Sequence, residues 1–172
     1  MKKLVALACI AGASPAWAAD VTVGVGVSAK SNDSNIYVPI DFGEKFRIEP
    51  LVGHSKAKFE GSGFSTKSET LQIGAGFFRL MPLAESVRIY YGARLSYLDF
   101  EGQAVNFDAL YPFVTDVKGD GYRAAPTFGF EYAFNKHLSI GGEAEWFYQE
   151  LDSTRDDTRS GTETRLILRL RF

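Results

Sequence analysis

The chain closes on a stretch that an extended backbone sorts cleanly into two faces: Glu163, Thr164, Arg165, Leu166, Ile167, Leu168, Arg169, Leu170, Arg171, Phe172. Successive side chains of a strand point to opposite faces. Leu166, Leu168, Leu170 and Phe172 therefore share one face, and Arg165, Ile167, Arg169 and Arg171 share the other. An apolar stripe backed by arginines suits a wall between lipid and a polar interior. Turning the strand over would set three guanidiniums in hydrocarbon, at up to about 2–4 kcal/mol each near the bilayer midplane. The apolar face must look outward.

The same alternation recurs upstream. Val21, Val23, Val25 and Val27 open a first stripe; Ile36, Val38, Ile40 and Phe42 form a second, and Phe46, Ile48, Pro50 and Val52 a third. Leu71 to Phe77, Val87 to Tyr97, Tyr122 to Tyr132 and Leu138 to Tyr148 supply four more, and the terminal stretch is the eighth. Aromatic residues at 14% and seventeen glycines fit an all-β chain. Short turns fall near Gly43–Lys45, Pro82–Ser86 and Asn135–His137. Longer loops are expected over Ser31–Asn35, Ala57–Ser68, Asp99–Asp120 and Leu151–Thr162. Long loops on one side and short turns on the other describe an eight-stranded antiparallel up-and-down transmembrane β-barrel with both termini in the periplasm.

The N-terminus reads as an export signal over residues 1–18. Lys2 and Lys3 precede an apolar core, and Ala16-Trp17-Ala18 is a small-x-small cleavage site. The apolar run is too short for a spanning helix. The barrel domain is then 19–172. Cys9, the only cysteine, leaves with the signal, which removes disulfide and thiol chemistry. Without Lys2 and Lys3, 17 Lys and Arg stand against 21 Asp and Glu, a net charge of −4 that argues against nucleic acid.

An eight-stranded bore is narrow and must be filled by side chains. The inward positions carry Arg47, Glu49, Arg88, Arg94, Arg123, Glu131, Glu143, Glu145, Arg165, Arg169 and Arg171, beside glycines that leave room for them. A plug of paired charges is expected, with Glu143 and Glu145 reaching Arg165 and Arg169, and Arg88 near Glu131. Phe42, Phe46, Tyr132 and Phe172 fall at one end of the outward stripes, and Tyr97, Tyr122, Trp146 and Tyr148 at the other, as two interfacial belts. Pro39, Pro50 and Pro126 run against the pattern, because each lacks a ladder donor and a closed barrel has no edge strand.

This constellation resembles the small eight-stranded outer-membrane barrels of the opacity and adhesion/virulence type. The resemblance spans 19–172 as a pattern rather than a unique motif. It implies an exported protein of the outer membrane of a Gram-negative bacterium, with membrane lipid and lipopolysaccharide as surroundings and no cofactor. It also implies that barrel-assembly machinery reads the terminal strand ending at Phe172, although Leu170 and Ile167 stand where a second aromatic and a glycine are common.

Chemical signatures are thin. His137-Leu138-Ser139 resembles the His-x-Ser pair of lipid A deacylase barrels, but it falls at a short turn, and Leu151 stands where a carboxylate is needed. A nucleophile needs a base and the base needs an orienting group. His54 reads as an interfacial side chain. Asp116 to Gly121 suggests a calcium loop, yet Lys118 and Thr127 occupy ligand positions. The segment Phe107 to Phe113, with Phe107, Leu110, Tyr111 and Phe113, is unusually apolar for a loop and is a candidate contact surface for a surface ligand or host partner. Non-enzymatic adhesion, interaction or envelope support is the leading expectation. A narrow channel, a lipid A-modifying enzyme and a soluble periplasmic barrel are the alternatives.

Overall fold

A computed structural model describes residues 21–30, 33–61, 64–107, 112–152 and 157–172. Its strands are β1 (Val21–Lys30), β2 (Asp33–Tyr37), β3 (Ile40–Phe42), β4 (Phe46–Gly61), β5 (Phe64–Ala84), β6 (Val87–Phe107), β7 (Pro112–Ala133), β8 (Leu138–Asp152) and β9 (Asp157–Arg171). Every neighbouring pair is antiparallel, and β9 returns to β1 through Gly24↔Arg171 to Val27↔Leu168. Residues 1–18, read as the export signal, lie outside the described residues.

Nine strands fill eight positions of the ring. β2 and β3 share one register on both sides: Tyr37 faces Gly26 and Leu51, while Ile40 faces Val23 and Ile48. The break between them lies at Val38 and Pro39, opposite Pro50. It is held by hydrogen bonds from the Gly24 amide to the Pro39 carbonyl and from the Val38 amide to the Pro50 carbonyl, both 2.9 Å. Pro126 has the same explanation. The β7–β8 ladder lapses between Ala124↔Tyr148 and Thr127↔Glu145, so the missing donor faces a gap. The three prolines sit where the ladder is already open.

The wall is inside-out relative to a soluble protein. Val21, Val23, Val25, Ile36, Phe77, Tyr91, Leu95, Phe128, Phe130, Leu166 and Leu168 are exposed, while Arg47, Glu49, Arg94, Glu131 and Arg169 are at most 2% exposed. A continuous apolar exterior around buried charge is a membrane wall. Both aromatic belts face outward on it, Phe42, Phe46, Tyr132 and Phe172 at one end and Tyr97, Tyr122, Trp146 and Tyr148 at the other. At the short-turn end Gly43 adopts φ 58°, a conformation that favours glycine.

The hairpins on the opposite side correct the expected loops. Ladder pairing continues through β4–β5 to Gly61↔Phe64 and through β6–β7 to Phe107↔Pro112. The described residues of Ala57–Ser68 and of Asp99–Asp120 are therefore strand. The outward apolar stripe fades there because these strands continue past the aromatic belt, where no hydrocarbon selects for it. Salt bridges brace the exposed hairpins, Lys118 to Glu101 at 2.6 Å and Lys56 to Glu69 at 2.9 Å. The Lys56 hydrogen bond holds the Glu69 carboxyl below its ordinary range, and the Glu101 hydrogen bond raises the Lys118 ammonium.

Candidate functional site: a bore closed by ion pairs

Strand parity sends one side chain in every two into the bore, and the inward residues of facing staves meet across it. At the short-turn end Arg47 donates to Asp41 at 2.6 Å and to Glu131 at 3.1 Å. Arg88 reaches Asp41 at 3.1 Å and Glu131 at 3.2 Å, and Arg171 donates to Glu131. In the middle Glu49 accepts from Arg94 at 2.6 Å and Arg169 at 3.0 Å, while Arg94 also donates to Glu143. Towards the hairpin end Glu145 accepts from Arg123 and Arg165, and Glu163 lies 2.9 Å from Arg123 and 3.2 Å from Arg165. Longer contacts join the tiers, such as Arg169 to Glu131 at 3.7 Å and Arg94 to Glu145 at 3.5 Å.

Aromatic rings fill what the charges leave. Arg169 and Arg47 lie 5.2 Å and 5.6 Å from the centre of the Tyr90 ring, and Arg94 sits 5.0 Å from Phe78 and 5.1 Å from Tyr37. Such contacts favour a desolvated cation. The Tyr90 hydroxyl donates to Glu143 at 3.1 Å. Its ring occupies the space over Gly129, where an added Cβ would overlap it. Gly129→Ala should therefore cost about 1–3 kcal/mol by overpacking, read as a lower urea midpoint of the gel-mobility transition between folded and unfolded barrel.

All eleven charges expected in the lumen point inward. Arg88 pairs with Glu131 across the β6–β7 ladder, and Arg165 pairs with Glu145. One pairing differs. Arg169 crosses the bore to Glu49 on β4 instead of contacting Glu143 or Glu145 on neighbouring β8, because it projects one tier lower, where Gly26 and Gly141 border it. Asp41, Glu163, Tyr37 and Tyr90 belong to the network and were not singled out from the sequence. Parity was the available signal, since Asp41 lies between outward Ile40 and Phe42, and Glu163 is two residues from Arg165.

The other candidates stand apart from this network. His137 is exposed at a turn, with Nδ1 3.0 Å from the Arg171 carbonyl oxygen, whereas Ser139 is fully buried and accepts from Arg171 at 3.1 Å. The two do not form a base–nucleophile pair. His54 faces outward, 3.7 Å from Glu69. Asp116 to Gly121 lies in β7, paired with Leu98 to Gln103 of β6, not in a looped cradle. Among the described residues no group of three or more His, Cys, Asp or Glu is placed to hold a metal. Phe107 ends β6 and Phe113 lies in β7, while Leu110 and Tyr111 lie outside the described residues.

An apolar wall, an interior of buried, paired charges and hairpins unequal in length at the two ends define a small transmembrane β-barrel of the outer-membrane kind. Solved structures carry the same fold. The chain is similar to Neisserial surface protein A, with a TM-score of 0.61 at 16% identity over 88% of this chain and 94% of that one. It is similar to a major outer membrane protein of Thermus thermophilus, with a TM-score of 0.64 at 12% identity over 89% and 100%. The outer membrane protein OprG of Pseudomonas aeruginosa gives 0.51 at 13% over 88% and 94%. No family model matches the chain, and no curated protein matches it.

Proposed function

We propose that this is a non-enzymatic outer-membrane barrel whose bore is sealed and whose outward hairpins do its work, in adhesion, another surface interaction or envelope support. The observation that carries the reading is the plug. Seven guanidiniums, Arg47, Arg88, Arg94, Arg123, Arg165, Arg169 and Arg171, meet six carboxylates, Asp41, Glu49, Glu131, Glu143, Glu145 and Glu163, so the bore is filled and its charge nearly balanced. An ion has neither a free path nor an unpaired ring of charge to attract it. A rigid wall of paired strands makes a suitable platform for hairpins that stand beyond the membrane. Phe107 to Phe113, the stretch between the end of β6 and the start of β7 in sequence, is the segment proposed to meet a surface ligand or host partner, and Phe172 is proposed as the assembly signal.

Replacing residues 101–118 by an Asn-Gly turn separates platform from hairpin. The shortened protein should still insert and keep its heat-modifiable gel mobility, while binding of cells displaying it to a host surface should fall to background. Undiminished binding would contradict the surface reading. Lipid A from cells with and without the protein should have the same mass spectrum on the non-enzymatic reading; a new acylation state would overturn it.

A further inference from the structure

The barrel is sealed along its axis but not around its wall. β9 pairs with β8 from Leu138↔Leu170 to Leu151↔Asp157, whereas β1 meets it only from Gly24↔Arg171 to Val27↔Leu168. Above Leu168, the β1-facing edge of β9 has no partner strand among the described residues. The β8 register sets Leu166, Thr164 and Thr162 opposite Gly142, Ala144 and Trp146. Trp146 belongs to the outer aromatic belt, so the open edge lies beneath that belt, in the outer-leaflet half of the wall. Hydrocarbon offers backbone amides and carbonyls no partner, and each one left unsatisfied costs several kcal/mol. Something polar must meet this edge inside the membrane.

A cavity of about 560 Å³ lies at this place. Its lipid-side lining is Phe128, Phe130, Ala144, Thr164 and Leu166, and its bore-side lining includes Ser28, Asn35, Glu163 and Arg165. The Phe130 ring lies over Gly142, where a Cβ would come within 2.5 Å of it, and closes the groove from below. On the bore side the Tyr37 hydroxyl accepts from Arg165 at 2.8 Å and lies 3.0 Å from the Ser28 hydroxyl, which ties β9 to β1 and β2 and gives the opening a floor. Asn35 is 3% exposed, donates to Asp33 at 3.2 Å, and keeps its Oδ1 without a partner among the described residues. A larger cavity of about 730 Å³ in the hairpin-side mouth shares Asp33 and Glu163 with this one. Asp33 and Glu163 thus border both the mouth and the lateral groove.

We infer that the β1–β9 opening is a binding site for a single-chain zwitterionic amphiphile. The tail lies along Phe128, Ala144, Thr164 and Leu166, and the head enters the opening. There Arg165, beyond its bonds to Tyr37, Glu145 and Glu163, offers its remaining N–H groups to a phosphate, Glu163 and Asp33 face a quaternary ammonium, and the open β9 edge is covered. A second copy of the chain fits less well. Two barrels inserted with the same polarity would set their β9 edges parallel, without the antiparallel pairing used everywhere else in this wall.

The test places the full protein in phosphatidylcholine nanodiscs with a lysophosphatidylcholine carrying a diazirine in its acyl chain, and maps the label by peptide mass spectrometry. Peptides bearing Phe128–Phe130 and Thr164–Leu166 should be labelled about tenfold more than those bearing Phe77 or Leu95, an excess worth about 1.4 kcal/mol. Ala144→Trp, which fills the groove from the lipid side, should bring them to the level of the rest of the wall. An Ala29→Cys, Leu166→Cys pair, opposed if the seam continued in register, should block labelling when oxidised and restore it when reduced. Even labelling around the wall, or labelling indifferent to both variants, would overturn the site. So would disulfide-linked dimers of Leu166→Cys in place of labelling, which would assign the edge to a second copy.

Discussion

Arg169→Ala should destabilise the inserted barrel by about 3–5 kcal/mol, the cost of removing one partner from a buried ion pair. Arg169 is fully buried, donates to Glu49 at 3.0 Å and lies over Tyr90. Its loss leaves Glu49, also fully buried, with Arg94 as its remaining close partner, and leaves a void beside Gly26 and Gly141. The measurement is urea unfolding in lipid vesicles, followed by gel mobility. The double variant Arg169→Met, Glu49→Gln should recover much of the loss, because it removes both charges and keeps most of the volume. A double-mutant cycle then gives a coupling energy of about 0.5–3 kcal/mol. Additive losses would mean that the two side chains do not act as a pair.

Phe77→Arg should cost about 2–4 kcal/mol, and Leu83→Arg about 0–1 kcal/mol. Both residues are exposed on β5, but they lie at different depths. Phe77 is opposite Ile48 and Ala93 in the middle of the apolar band, where an ammonium or guanidinium has only hydrocarbon around it. Leu83 lies beside the turn after Ala84, where a long side chain can reach water. The same unfolding assay checks both. Equal costs at the two depths would indicate an aqueous exterior and would favour the soluble barrel.

Much of this molecule was legible in its sequence because two solvents sort its residues. Lipid outside and a narrow polar bore inside make each strand alternate, so the apolar stripes, the inward arginines and both belts could be read by parity alone. The tilt and stagger of the staves could not. They decide which residues face one another across the bore, and so bring Arg169 to Glu49 and Tyr90 to Glu143. The division into β2 and β3 was also hidden, since Val38 and Ile40 continue one apolar stripe through the break. Above the outer belt the sorting force ends. There Asp99 to Asp120 reads as loop although its described backbone continues the β6–β7 ladder to Phe107↔Pro112. The shortness of the β1–β9 seam depends on pairing between the first and last strands, which local pattern does not encode.

Single-channel recording in a planar bilayer is the most direct test of the sealed bore. The inserted, folded protein should give no discrete conductance steps, and the Arg94→Ala, Glu143→Ala double variant, which removes one pair from the middle tier, should begin to give them. Reproducible steps from the unaltered protein would contradict the plug and place conduction first among its functions.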